Sequence, residues 1–240
     1  MTGIIVCLHG FGEDHRVWDD FIPAYTWPFP VIMPDYASWE DCSSMSEYAQ
    51  KIALQLPKDQ AWYLIGHSMG GYIALALASL FPEQVKAVVM LNSTAMSDSQ
   101  EKKLNRNKTI EFLHKLGTKA FIGPFVPNLF SPDFVQQNSE VIKSLIDRYQ
   151  ELPASGLVAA SKAMRDRPAG LDLLASTQIP FLFIHGELDA LVPLEDVEKA
   201  VALSSLHYVV RILQAGHQAA YEAPKEVYLA IISFLNSVHV

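Results

Sequence analysis

The pattern in this chain best suited to covalent chemistry is Gly66-His67-Ser68-Met69-Gly70, with Gly71 behind it. The G-x-S-x-G spacing places a serine at the apex of a tight turn between a strand and a helix, with its hydroxyl exposed. Such a turn needs its glycines, because side chains there would run into the neighbouring strand and helix. Trp62-Tyr63-Leu64-Ile65 reads as the strand before the turn, and residues 72–78 as the helix after it. That context makes the pattern far more specific than its five letters. A serine hydroxyl attacks poorly until a base takes its proton. His217, in Gly216-His217-Gln218 directly after an apolar strand, is placed to be that base. Two other histidines compete: His67 precedes the serine and is expected to point away from its hydroxyl, and His9 reads as a structural hydrogen-bonding residue. A base of this kind needs an acid to fix its tautomer, and Asp189 follows the apolar run Phe181-Leu182-Phe183-Ile184. Glu187 lies too close to the end of that run, and Asp196 falls in the next helix. Negative charge developing on a substrate oxygen must meet preorganised donors. The turn His9-Gly10-Phe11-Gly12 and the start of the helix after Ser68 offer the backbone N–H groups of Phe11 and Met69.

These groups are far apart in sequence, so a framework must bring them together. Strands are predicted at 4–8, 31–33, 62–65, 85–91, 181–185 and 208–213, and helices at 45–56, 69–80, 194–203 and 224–235. Most of the strand runs are continuously apolar, as in a parallel sheet covered on both faces. Strand–helix alternation predicts a doubly wound α/β sheet of six strands. Each candidate residue follows a strand, and the carboxyl ends of parallel strands are where such folds place working groups. Residues 95–177 break the rhythm with helical patterns alone, at 99–116, 132–149 and 155–164, punctuated by Gly123, Pro124, Pro127 and Pro132. An insert this long exceeds an ordinary crossover. It is read as a helical cap, 96–177, over a core formed by 1–95 and 178–240. Phe112, Phe121, Phe125, Phe130 and Met164 could line a channel beneath it, although more than half of them are expected to pack helix on helix. Lys102, Lys103, Arg106, Lys108, Lys115 and Lys119 make one cap helix basic; the ordinary role is a solvated face, and the sharper one is to steer an anionic substrate.

The formal net charge is −8 with half the residues hydrophobic. That balance argues against nucleic-acid binding, which needs a basic footprint. No apolar run is long enough for a membrane span. The opening residues read as a strand and not as a signal peptide. Two cysteines, a buried Cys7 and a loop Cys42, imply no disulfide framework and fit a reduced, cytoplasmic setting.

With these residues placed, the chain resembles the α/β-hydrolase superfamily, specifically its compact capped esterases and lactonases. The resemblance rests on His9–Gly12 with Trp18, the turn at 66–71, Gly186-Glu187-Leu188-Asp189 with Pro193, and Gly216-His217 with Pro224. It implies an ester, lactone or thioester substrate, an acyl-enzyme on Ser68, and no metal or organic cofactor. The chain departs from the family in having room for only one strand before His9. Pro34-Asp35 also lacks the arginine and glycines that follow in many relatives, which makes Asp35 a turn residue. Two alternatives stay open within this fold: a pyruvate-eliminating synthase of menaquinone formation, whose relatives carry an arginine shortly after the serine where this chain has Tyr72-Ile73, and a small-ligand receptor. The resemblance leaves the acyl group, the leaving group and the oligomeric state undetermined.

Overall fold

The computed structural model describes residues 2–238. Six strands, β1 (Gly3–Leu8), β2 (Val31–Ile32), β3 (Ala61–His67), β4 (Val85–Leu91), β5 (Phe181–Gly186) and β6 (His207–Ile212), form one sheet in the order β2-β1-β3-β4-β5-β6. Every pairing is parallel, and the register aligns the carboxyl ends: Leu8 opposite Gly66, His67 opposite Leu91, Leu91 opposite Ile184 and Gly186 opposite Ile212. The strand order reverses at β1, whose sequence neighbour β2 lies on one side and β3 on the other. Loops leaving β1 and β3 therefore diverge and open a crevice at that edge.

Alternate residues of the strands feed two cores. Ile4, Val6, Leu64, Val88, Met90 and Phe183 point to the face covered by α1 (Met45–Ala53), α2 (Met69–Leu80) and α8 (Leu194–Val201). Ile5, Cys7, Ile65, Val89 and Ile184 point to the other, packed on Val17, Trp18 and Phe21 and on Val227 and Ile231 of α10 (Pro224–Ser237). The short α9 (Ala219–Glu222) leads into α10. Helix α2 is buried on nearly every side, from Met69 to Ala78, because it lies between the sheet and the helices above it. Removing a side chain such as Phe183 from this interior costs about 3–5 kcal/mol. β6 differs from the four inner strands. As one of the two edge strands it is buried only at His207 and Ile212, with Tyr208 about half exposed at 49%.

Between β4 and β5 the α-helices form a cap region inserted after the fourth strand: α3 (Gln100–Phe125), α4 (Pro132–Gln137), α5 (Ser139–Tyr149), α6 (Ala154–Asp166) and α7 (Leu171–Ser176). Ser99 caps α3 by accepting from the Lys102 N–H at 3.2 Å. The helix turns sharply at Gly117, whose φ of 75° and ψ of 179° suit glycine alone. The single helix expected at 132–149 is two. Asn138, at φ −127° and ψ 41°, breaks it, and its side chain donates back to the Phe134 carbonyl at 3.0 Å. An asparagine amide competes with the helix for its own backbone. The apolar side of these helices, including Leu113, Ile122, Leu145 and Leu157, joins the same core as the α1–α2 face of the sheet. Cys42 lies in a loop, as expected, and is buried. No helix among the described residues is long and apolar enough to cross a membrane.

Candidate active site

Ser68 sits at the first position after β3 with φ 51° and ψ −114°, a strained conformation for a residue carrying a Cβ. The surroundings enforce it. A Cβ on Gly66 would lie 2.5 Å from the Gly70 backbone, and one on Gly70 would collide with the Leu8 carbonyl of β1. The strand and helix thus approach more closely than any side chain permits. Two hydrogen bonds hold the turn: Ser68 N–H to the Leu91 carbonyl at 2.9 Å, and Ser93 Oγ to the Ser68 carbonyl at 2.7 Å.

The structure brings the three widely separated candidates together. Ser68 Oγ donates to His217 Nε2 at 2.8 Å, and His217 Nδ1 donates to Asp189 Oδ2 at 2.8 Å. Donation from Nδ1 leaves Nε2 as the acceptor, the tautomer a general base requires. The Asp189 side chain is fully buried. Burial alone would push its carboxyl up, but the His217 imidazole, the Asn92 amide and the Leu191 N–H together hold it down, at about 2. Its other oxygen accepts from the N–H groups of Leu191 at 2.8 Å and Val192 at 3.1 Å. Glu187 faces Arg211 at 4.0 Å, and Asp196 lies on α8, so neither rival carboxylate meets the histidine.

His67 does turn away from the hydroxyl, and its two ring nitrogens show why. Nδ1 meets Glu13 Oε1 at 2.7 Å and Nε2 meets the His217 carbonyl at 2.9 Å. Both partners are acceptors, so the ring is an imidazolium donating from both sides. Burial would lower the pKa of His67, but the Glu13 charge and hydrogen bond raise it above the usual value. Burial would likewise raise Glu13, and His67 with Gln218 holds it down, at about 2. Glu13 also accepts from the Gly10 N–H at 2.5 Å and from Gln218 Nε2 at 2.9 Å. One buried carboxylate therefore ties together the loop after β1, the serine turn and the loop carrying His217. His9 stacks on Tyr36 at 3.7 Å between centroids and accepts from the Tyr36 N–H at 3.3 Å, while its Nδ1 donates to the Gly10 carbonyl. Asp35 accepts from the Ala37 N–H at 3.2 Å, as a turn residue does.

Two clamps were invisible to motif reading. Asn92, with φ 47° at the end of β4, donates both amide hydrogens, to Asp189 Oδ2 and to the Gly216 carbonyl, each at 3.0 Å. Glu222 accepts from the Gly216 N–H and the Ser131 N–H, each at 2.9 Å, joining the histidine loop to the segment before α4. The available signal for Asn92 was a polar residue directly after an apolar strand, in line with Ser68 and Asp189. For Glu13 it was an acid within three residues of a glycine turn.

A cavity of about 290 Å³ opens over Ser68 and His217, lined by apolar Phe11, Phe125, Leu129, Met164 and Val192 and by polar Lys102, Asn105, Arg106 and Thr109 of α3. Of the five apolar cap residues singled out, Phe125 and Met164 reach it. Phe112 and Phe121 pack on each other at 6.3 Å between centroids, and Phe130 stacks on Phe134 at 5.0 Å. A larger groove of about 850 Å³ follows the β6 edge but holds neither Ser68 nor His217. No cluster of three or more metal-ligating side chains occurs among the described residues.

A fold with a strained serine turn, an Asp-positioned histidine and a helical cap defines a class, and the sequence places the chain in it: residues 3–224 match the family model for the alpha/beta hydrolase fold, and the chain belongs to that family. A thermophilic esterase from Thermogutta terrifontis superposes with a TM-score of 0.90 at 28% identity, covering 100% of this chain and 92% of that one. The pimeloyl-[acyl-carrier protein] methyl ester esterase of Yersinia pseudotuberculosis is 26% identical over 79% of this chain and 76% of its own length. The biotin biosynthesis bifunctional protein of Teredinibacter turnerae is 26% identical over 97% of this chain, and the chain spans 44% of that protein's length.

Proposed function

We propose that this protein is a carboxylic-ester hydrolase in which Ser68 is the nucleophile, His217 the general base and then acid, and Asp189 the residue that orients the imidazole. The observation that carries this reading is the continuous chain Ser68 Oγ–His217–Asp189, with both links at 2.8 Å, at the floor of a cavity of ligand size. Esterases among the similar proteins support the choice of an ester over other acyl bonds.

The chemistry follows from the geometry. As Ser68 Oγ bonds to the carbonyl carbon, its proton passes to His217 Nε2. The carbonyl electron pair moves onto oxygen, beside the N–H groups of Phe11 and Met69. Met69 opens α2, so its N–H lacks a partner within the helix and lies at the positive end of the helix dipole. His217 then gives its proton to the departing alkoxide, leaving the acyl group on Ser68. Water repeats the sequence: His217 takes its proton, its oxygen attacks the acyl carbon, and Ser68 leaves and recovers the proton. The histidine must be uncharged to begin each half, and the buried Asp189 carboxylate stabilises the imidazolium formed midway.

Hydrolysis of p-nitrophenyl esters of increasing chain length, by the wild-type protein and by Ser68→Ala, tests the proposal. The expected result is turnover on short to medium chains and a loss of at least about 10³-fold in kcat in the variant. Turnover by Ser68→Ala at the wild-type rate would overturn it.

A further inference from the structure

The cavity over Ser68 has walls of two kinds. Lys102, Asn105, Arg106 and Thr109 are spaced as three, one and three residues, which sets them on one strip of α3. The same cavity is also lined by Phe11, Phe125, Leu129, Met164, Leu191 and Val192. Cations lining a partly desolvated cavity need anionic partners, and the partners present do not suffice. Asp98 is the carboxylate beside this strip. Its Oδ2 accepts from Arg106 Nε at 3.1 Å and its Oδ1 from Arg167 Nη1 at 2.8 Å. One carboxylate is thus shared between two guanidiniums. Arg167 is further occupied by the carbonyls of Met164 and Met96 and by the Tyr72 ring, whereas Arg106 engages only Nε among the described residues and keeps four N–H donors on its two Nη atoms. The Lys102 ammonium has the Leu191 carbonyl at 3.4 Å, a weak contact for a charged donor. The other acid lining the cavity, Glu13, is neutralised by His67 at 2.7 Å. Lys102, Arg106 and Arg167 against Asp98 leave two positive charges in surplus, in a chain whose formal net charge is −8. The surplus is local to this strip: Lys108, Lys115 and Lys119, on the same helix, are exposed and line no part of this cavity.

We infer that Lys102 and Arg106 form a carboxylate-binding subsite, so that the ester cleaved at Ser68 carries a free carboxylate elsewhere in the molecule, with an apolar segment between the two lying against Phe125, Leu129 and Met164. A guanidinium with unspent donors beside an ammonium matches a carboxylate's two oxygens. A neutral ester would leave Lys102 without an anionic partner and Arg106 with only its share of Asp98. The inference rests on the ester-hydrolase reading and names the substrate class for it.

Matched substrates separate the two ideas. The monomethyl esters of glutarate and adipate and their dimethyl counterparts differ in the free carboxylate, and the acetyl esters of hydroxybutanoate and of its methyl ester place that charge on the alcohol side instead. Wild-type kcat/KM is expected to favour the anionic member of at least one pair by about tenfold or more. In the Lys102→Gln/Arg106→Gln double variant, confirmed folded by its melting transition, that ratio falls to near one, chiefly through KM, and Arg106→Lys recovers part of it. Calorimetry of glutarate with Ser68→Ala protein reads the subsite without catalysis, and the added Lys102 and Arg106 changes are expected to weaken binding at least tenfold. Cleavage of neutral esters with no anionic preference in any pair, and no glutarate binding, overturns the subsite and leaves the hydrolase. Glutarate binding that depends on the two cations, with no ester cleaved, overturns the hydrolase and leaves a carboxylate site.

Discussion

The floor and the roof of the cavity are built on different physical terms. On the floor, both carboxylates that set the geometry are buried and partnered inside the protein: Asp189 with His217, Asn92 and two backbone N–H groups, and Glu13 with His67, Gly10 and Gln218. On the roof, the polar strip of α3 is half exposed and its cations are only partly engaged. A buried carboxylate whose partners all lie inside the protein holds one arrangement, because any change strands a desolvated group. A half-exposed strip can lose a side chain to water at little cost. The floor is therefore suited to chemistry that tolerates little displacement, and the roof to selection, which can change residue by residue without unfolding the protein.

That contrast makes its strongest prediction at Asp189. In Asp189→Asn the amide donates to His217 Nδ1, which moves the ring proton to Nε2 and removes the acceptor for Ser68. A kcat fall of about 10⁴-fold with KM little changed is expected, and steady-state kinetics on one ester reads it. Glu13 comes next. Its replacement by Gln leaves His67 as a buried cation without its counter-ion, a change worth about 3–5 kcal/mol, visible in denaturant unfolding. The pH dependence of stability follows from the two shifts. Glu13 falls from 4.5 in the free chain to about 2 when folded, so its contribution is complete above about pH 4.5 and fades as pH drops towards 2. His67 is raised from 6.5, so its contribution is complete below 6.5 and is lost as pH climbs through its higher folded value. Wild-type stability should fall on both sides, and Glu13→Gln should flatten both slopes.

Glycines sharpen the comparison. Gly70→Ala places a methyl on the Leu8 carbonyl in the floor, and the serine turn must open to relieve it; loss of activity together with a lowered melting temperature is expected. Gly117→Ala, in α3 of the roof, meets nothing within 4 Å and bears only the backbone strain of its φ, about 1–3 kcal/mol. Its melting temperature should drop with kcat unchanged. Equal damage to kcat from the two substitutions would erase the distinction between floor and roof.

How much of this could be read from the residues alone depends on whether the signal was local. The turn at 66–71 announces itself because strand, glycines, serine and helix are contiguous, and all six strands were legible from short apolar runs between turn residues. Asp189 and His217 could be proposed because each directly follows such a run. The Glu13–His67 pair could not, since its members are 54 residues apart, Glu13 belongs to no spaced pattern, and the serine pattern leaves the identity of the residue at 67 open. Asn92 was hidden for the same reason. The break at Asn138 was missed because apolar periodicity continues across it, and the exposed β6 because edge position depends on sheet order, which composition does not record. For the cap, periodicity locates most of the helices and the expectation that more than half of the five apolar residues pack helix on helix agrees with two lining the cavity, but periodicity does not say which two.

The central claim is that Ser68 becomes the covalent carrier, with His217 as its base. Intact-mass and peptide mass spectrometry after treatment with a fluorophosphonate tests it most directly. The prediction is a single adduct on the peptide containing Ser68, formed at least about 10³-fold more slowly when His217 is replaced by Gln. An adduct on a different residue, or labelling of Ser68 at an undiminished rate without the imidazole, would contradict it.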